Sequence, residues 1–130
     1  MQGEGDNRKP LRLMLVEDQF AFRHVMASLL DREADLEVVA EASSLEEARY
    51  HAASVGFDLA ILDLGLPDGN GADLIAELRE ARPSVAVVIL SASLNLTNLA
   101  RVKEAGADGV LDKFATPEEV IGTIRRVGTR

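Results

Sequence analysis

Apolar residues along this chain concentrate in five short, mostly apolar runs, separated by stretches in which they recur every three or four positions. The runs are Leu11–Val16, Leu36–Ala40, Leu59–Leu62, Val85–Leu90 and Gly109–Asp112. Runs of four to six apolar residues fit strands buried on both faces of a parallel sheet. The intervening stretches read as helices. Phe20 to about Arg32 places Phe22, Val25, Met26, Leu29 and Leu30 on one face. Ser44-Leu-Glu-Glu47 has a capping-box pattern that opens a helix from Leu45 to about Val55, with Gly56 after it. A third helix runs from about Gly71 to Ala81, and Pro83 marks its exit. A fourth spans roughly Leu96 to Ala105 with Gly106 as its cap. Thr116-Pro-Glu-Glu119 is a second capping box with Pro at the first helical position, and the last helix runs to about Val127. A β-α unit thus occurs five times, which implies an α/β fold with a parallel sheet and right-handed crossovers.

Composition narrows the class. At 130 residues and 47% apolar content the chain suits one domain with a real core. No apolar run approaches a membrane span, and the polar, Gly-rich residues 1–10 read as a disordered lead-in or a leftover of expression, not a signal peptide. Without cysteine there is no disulfide framework or thiolate metal site. Together these favour a cytoplasmic protein. A net charge of −8 argues against direct non-specific nucleic-acid binding. The one basic bias, Arg125, Arg126 and Arg130, reads as a helix C-terminus whose cations complement the macrodipole.

The strand ends carry the candidate chemistry. In a parallel sheet the carboxyl ends lie on one edge, the usual place for a site. The first strand ends in Glu17-Asp18, the third in Asp63, the fourth in Ser91 and the fifth in Lys113. A loop rich in Gly and Pro follows Asp63 (Gly65, Pro67, Gly69, Gly71). A single Asp there could be a turn former only; three converging carboxylates could not all stay ionised without a counter-charge. A hard divalent cation with oxygen ligands and water, Mg²⁺, answers that need. One carboxylate is then left as a nucleophile toward phosphorus, with the Ser91 hydroxyl and Lys113 ammonium binding phosphoryl oxygens.

With these residues the chain resembles the receiver domain of bacterial two-component response regulators, over about residues 11–127. The carrying features are Glu17-Asp18, Asp63 within Asp-Leu-Gly-Leu-Pro, Leu-Ser91-Ala, and Ala-Gly-Ala-Asp-Gly-Val-Leu-Asp-Lys113. Leu-Glu-Val-Val-Ala-Glu-Ala and Thr-Pro-Glu-Glu-Val-Ile are most similar to the NarL/LuxR branch, whose members usually carry a C-terminal helix-turn-helix domain. The resemblance implies a five-stranded, doubly wound (βα)5 sheet of flavodoxin-like order 2-1-3-4-5. It makes Asp63 the phosphoacceptor for a phosphohistidine on a sensor histidine kinase. Asp18 would ligate Mg²⁺ directly and Glu17 through water, with Asp63 and the main-chain carbonyl of Gly65 completing the protein ligands. Ser91 would bind the phosphoryl group and move on activation, and Lys113 would pair with it. The switched surface would then dimerise, release an output domain or dock a partner, with DNA reached only through an output domain that lies outside this chain. Residues 128–130 would be a tail, the start of a linker to that domain. Two positions depart from the family's habit: Val110 stands where an aromatic residue is common, and Phe114 follows the lysine where proline is common.

Rival functions fit these residues less well. A pseudo-receiver, a phosphorylation-independent binding or dimerisation module, would have lost a site residue; here all five positions are filled. A haloacid-dehalogenase-like phosphatase wants a second Asp two residues after the nucleophile, where this chain has Gly65. A flavodoxin wants a Ser/Thr/Gly-rich loop after the first strand, where this chain has Glu17-Asp18-Gln19-Phe20. The protein is therefore expected to be a phosphoacceptor that takes part in its own phosphorylation and slow dephosphorylation, and not an enzyme in the usual sense. Asp68 reads as a turn residue and not a ligand, and Asp112 as pointing away from Lys113. His24 and His51 lack zinc spacing.

Overall fold

A computed structural model describes residues 9–129. Most of the expected lead-in over residues 1–10, and Arg130 of the expected tail, lie outside the described residues. The strands are β1 (Leu11–Val16), β2 (Leu36–Ala42), β3 (Leu59–Asp63), β4 (Ala86–Ser91) and β5 (Gly109–Asp112). They form one parallel sheet in the order β2-β1-β3-β4-β5, as the resemblance implied. The helices are α1 (Phe20–Asp31), α2 (Leu45–Ser54), α3 (Ile75–Ala81), α4 (Leu96–Ala105) and α5 (Pro117–Gly128). No helix among the described residues is long and apolar enough to cross a membrane.

Alternation along the strands divides the core in two. Leu13, Leu15, Leu59, Ile61, Val88 and Leu90 face α1 and α5, which supply Met26, Ala27, Leu30, Val120, Ile124 and Val127. Met14, Val16, Ala60, Leu62, Val87 and Ile89 face the opposite layer, where α2, α3 and α4 supply Leu45, Ala48, Ile75, Leu78 and Val102. Each fully buried Leu or Ile contributes about 1.5–3 kcal/mol of transfer free energy. The layers are unequal: α4 buries only Val102 among its ten residues and leaves Leu96 exposed.

Several expectations are corrected. β2 runs two residues past Ala40, because a register shift between Leu13 and Met14 carries the pairing on to Val16↔Ala42. On α1 the buried face is centred on Met26, Ala27 and Leu30, with Val25 exposed. The small Ala27 is buried, and the larger Val25 is turned to solvent. α3 is preceded by a 3₁₀ turn, Gly71–Leu74, where an α-helical start was expected. The Asn70 side chain accepts from the Ala72 N–H there, tightening the entry. α2 ends at Ser54 with Val55 as its extended C-cap, in agreement with the expected end at about Val55. In its capping sequence Ser44 accepts from the Glu47 N–H, but Glu47 turns to the N–H and hydroxyl of Ser43.

The second capping box is complete. Thr116 Oγ1 accepts from the Glu119 N–H at 3.1 Å, and Glu119 Oε1 accepts from the Thr116 N–H at 2.8 Å. Thr116→Ala should lower stability by about 1 kcal/mol, read as a shift in the urea midpoint with an unchanged slope.

Candidate functional site

The carboxyl edge of the sheet brings the expected residues together. β1 ends at Val16, so Glu17 and Asp18 follow directly. Asp63 is the last residue of β3 and Ser91 the last of β4. Lys113 follows β5, its N–H bonded to the Ser91 carbonyl at 3.0 Å. Glu17, Asp63 and Ser91 are the buried polar residues among those described, at 1%, 5% and 3% exposure. Burying such groups is costly without partners, and each has one. Lys113 Nζ lies 2.5 Å from Glu17 Oε1 and 3.0 Å from Asp63 Oδ2. Glu17 Oε2 accepts from the Gln19 N–H at 2.8 Å, and Asp63 Oδ1 from the Gly65 N–H at 3.2 Å. Ser91 Oγ accepts from the Ser93 N–H at 3.1 Å.

Electrostatics follow from this packing. Burial raises the Glu17 carboxyl above its ordinary value, against the lowering effect of the Lys113 hydrogen bond and the Gln19 N–H. Burial alone would lower the Lys113 ammonium, but its hydrogen bonds to Glu17 and Asp63 outweigh that and hold it above the usual lysine value. The Phe22 ring of α1 lies 5.1 Å from Lys113 Nζ and covers it.

Glu17, Asp18 and Asp63 each bring a carboxylate oxygen within 4.8 Å of the others'. The donor set is all hard oxygen, and Asp18 is exposed, so a bound ion would keep several waters. That combination fits Mg²⁺ and does not fit a soft transition metal. A cleft of about 370 Å³ opens beside these carboxylates, lined by Asp18, Asp63, Gly65, Ser91 and Lys113 together with Asn70 and Asn98. A larger groove of about 660 Å³ lies at the opposite edge of the sheet. Its charges neutralise one another: Arg12 pairs with Asp58, and Arg125 with Asp35.

Some contributors were invisible in the sequence. Phe22 packs against the core as its helical position implies, and its place over Lys113 is a contact no pattern announces. Asn98 Nδ2 donates to the Ser93 carbonyl at 2.6 Å, tying α4 to the loop after Ser91. Asp68 lies outside the carboxylate cluster and at a turn, as expected. Its carboxylate, however, accepts from the Leu45 and Glu46 N–H groups at 2.8 and 3.0 Å, which hold it below the ordinary carboxyl range. Asp112 accepts from the Phe114 N–H and stays out of the site. His24 stacks on Phe20, and His51 Nε2 contacts the Glu41 carbonyl. Val110 is half-buried beside the α2–α4 core layer, Phe114 is exposed, and every described peptide bond is trans.

Comparison with known proteins places this geometry in a family. Residues 13–125 match the family model described as response regulator receiver domain. The nitrate/nitrite response regulator protein NarL of Escherichia coli K12 is 32% identical over 120 residues, spanning 92% of this chain and 56% of that protein. The chain thus spans about half the length of the curated relatives it matches. Among solved structures, a LuxR-family two-component response regulator from Aurantimonas sp. SI85-9A1 is 27% identical with a TM-score of 0.84, covering 93% of this chain and 86% of that one. A CheY-like receiver domain protein from Methanospirillum hungatei JF-1 is 25% identical with a TM-score of 0.83, covering 91% and 93%.

Proposed function

The chain belongs to the response regulator receiver family, and on that premise we propose that Asp63 accepts a phosphoryl group from a phosphohistidine of a sensor histidine kinase in a Mg²⁺-dependent reaction. Receiver domains of this family are regulatory, not enzymes in the usual sense, and relatives of this chain include the transcriptional regulatory protein UhpA and the DNA-binding transcriptional activator DevR/DosR. The observation that carries the reading is the convergence of Glu17, Asp18 and Asp63 on one edge with Lys113 between two of them. A phosphorylation-independent module of the same fold finds no support, since every position of the expected site is filled. In this reading the receiver spans residues 11–127, and control of DNA belongs to an output domain beyond it.

Asp18 and Asp63, the Gly65 backbone, and Glu17 through water would hold the cation. When bound it neutralises charge on the phosphoryl oxygens. The protein's own groups do the rest. An Asp63 carboxylate oxygen attacks phosphorus, the new O–P bond forms, and the P–N bond to the donor imidazole breaks. The departing nitrogen takes a proton from solvent. Lys113 already lies 3.0 Å from Asp63 Oδ2 and can follow the charge onto the phosphoryl oxygens. Ser91, buried at the cleft wall, offers its hydroxyl proton to the same oxygens. Water entering the cleft would later hydrolyse the acyl phosphate. The added charge shifts the population of a two-state surface, with α4 the element least held by the core. Whether the response is homodimerisation or release of an output domain depends on that surface.

The test is phosphorylation by acetyl phosphate with Mg²⁺, read by intact mass. Wild type should gain one phosphoryl mass; Asp63→Asn, or wild type with EDTA, should gain none. Asp63→Asn removes one of two carboxylates beside Lys113 and leaves the Glu17 pair, so it should remain folded. A wild-type protein that binds Mg²⁺ and takes no phosphoryl group from acetyl phosphate or from phosphorylated kinases would overturn the proposal.

A further inference from the structure

The loop after Asp63 doubles back on itself. Gly65–Leu66 pairs antiparallel with Gly69–Asn70, and the Gly71 N–H closes the base onto the Leu64 carbonyl at 3.1 Å. Gly65 and Asn70, paired with each other, both line the cleft beside Asp63. Pro67 and Asp68 form the tip. The tip is gripped from outside the site: Asp68 Oδ1 accepts from the Leu45 N–H at 2.8 Å and Oδ2 from the Glu46 N–H at 3.0 Å. Two of the orphan donors at the start of α2 are thus satisfied by a residue more than twenty positions away, while Ser44 satisfies a third from within. Next to Asp68, Gly69 has φ +151°, and a Cβ there would lie 2.7 Å from Leu45 Cδ1. The carboxylate and the close approach fix the hairpin against α2 at two adjacent residues.

We infer that Asp68 is a positioning residue: its grip on the start of α2 sets where the Gly65–Asn70 end of the hairpin lies relative to Asp63, and so how well the carboxylate cluster takes a divalent cation. The inference rests on the receiver reading and adds to it a residue that touches neither phosphoryl group nor ion. The physical warrant is that groups which orient metal ligands from outside the coordination sphere typically change metal affinity by about 10–100-fold when removed. A hairpin of two residues a side has little stability of its own. Buried Leu64 and Leu66 hold its root in the core, and the anchor at its tip sets the remaining freedom of the Gly65–Asn70 strands.

The experiment is calorimetric titration of Mg²⁺ into wild type, Asp68→Ala, Asp68→Asn and Ser44→Ala, with a melting curve for each. Asp68→Ala should weaken Mg²⁺ binding about tenfold. Asp68→Asn keeps one acceptor oxygen and should fall between the two; it also serves if the alanine variant folds poorly. Ser44→Ala removes a cap from the same helix without touching the hairpin. It should lower the melting temperature and leave Mg²⁺ affinity unchanged, which a purely helix-capping role for Asp68 does not predict. Wild-type affinity in Asp68→Ala, or an equal loss in Ser44→Ala, would overturn the inference while leaving the receiver reading intact. A wild type that binds no Mg²⁺ would overturn both.

Discussion

Lys113→Met is expected to cost the fold about 3 kcal/mol at pH 7 without divalent ions. Methionine keeps an unbranched stem of similar length under Phe22 and removes only the charge. That charge sits between Glu17 and Asp63, both almost fully buried. Without it two carboxylates face each other in a poorly solvated place. The pH dependence gives the sign. A group whose folded pKa is raised stabilises the fold below its unfolded value and loses that contribution as pH rises through the folded value. In wild type this places the Lys113 contribution across the whole range below about pH 10.4. Glu17, also raised, favours the fold only when protonated. Removing the ammonium takes away the hydrogen bond that lowers Glu17 most, so its pKa should climb further. The deficit of the variant should therefore shrink as pH falls from 7 toward 5. Urea unfolding at the two pH values measures it, and an equal deficit at both would refute the electrostatic account. Added Mg²⁺ should return part of the loss at pH 7 by binding the folded state.

Gly71→Ala should be comparably damaging, by about 3 kcal/mol. A Cβ at Gly71 would lie 2.1 Å from the Asp63 carbonyl oxygen and 3.0 Å from its carbon. Both are backbone atoms of the central strand and cannot rotate away. Either the 3₁₀ turn lifts off or the end of β3 is displaced, and the second also moves the phosphoacceptor. Gly122, on α5, is the contrast. Nothing lies within 4 Å of a Cβ there, so Gly122→Ala should stabilise by about 0.5–1 kcal/mol. Denaturation midpoints of the two variants should move in opposite directions. A near-neutral Gly71→Ala would mean that the turn yields more easily than its contacts suggest.

The strands were legible because β1, β3 and β4 are buried on both faces over most of their length, so that Arg12 near the start of β1 is the one charged interruption before their carboxyl ends. The site was legible for a related reason: a parallel sheet puts every strand's carboxyl end on one edge, and the acids stand at those ends. Legibility failed where the outcome depended on a contact across the fold. Val25 and Ala27 exchange places relative to the periodic reading because the stripe that α1 buries runs through Met26, Ala27 and Leu30 and leaves Val25 on the far side of the helix. Glu47 sits in the right place for a capping box, but Ser43 offers two donors and wins it. No pattern in the Asp68 or Phe22 neighbourhood announces the helix start or the ammonium that each one meets.

The shared sheet has a consequence for time. Ala60, Ile61 and Leu62 carry side chains into both layers of the core, so neither layer can melt and leave the other standing. Amide hydrogens along the middle of β3 should therefore exchange with solvent only through global opening, which native-state hydrogen exchange would read. The start of α4, where Leu96 is exposed and only Val102 further along is buried, is held by a few surface bonds and can open far more often on its own. One side of the cleft is therefore as long-lived as the whole molecule, and the other is renewed continually while the fold persists.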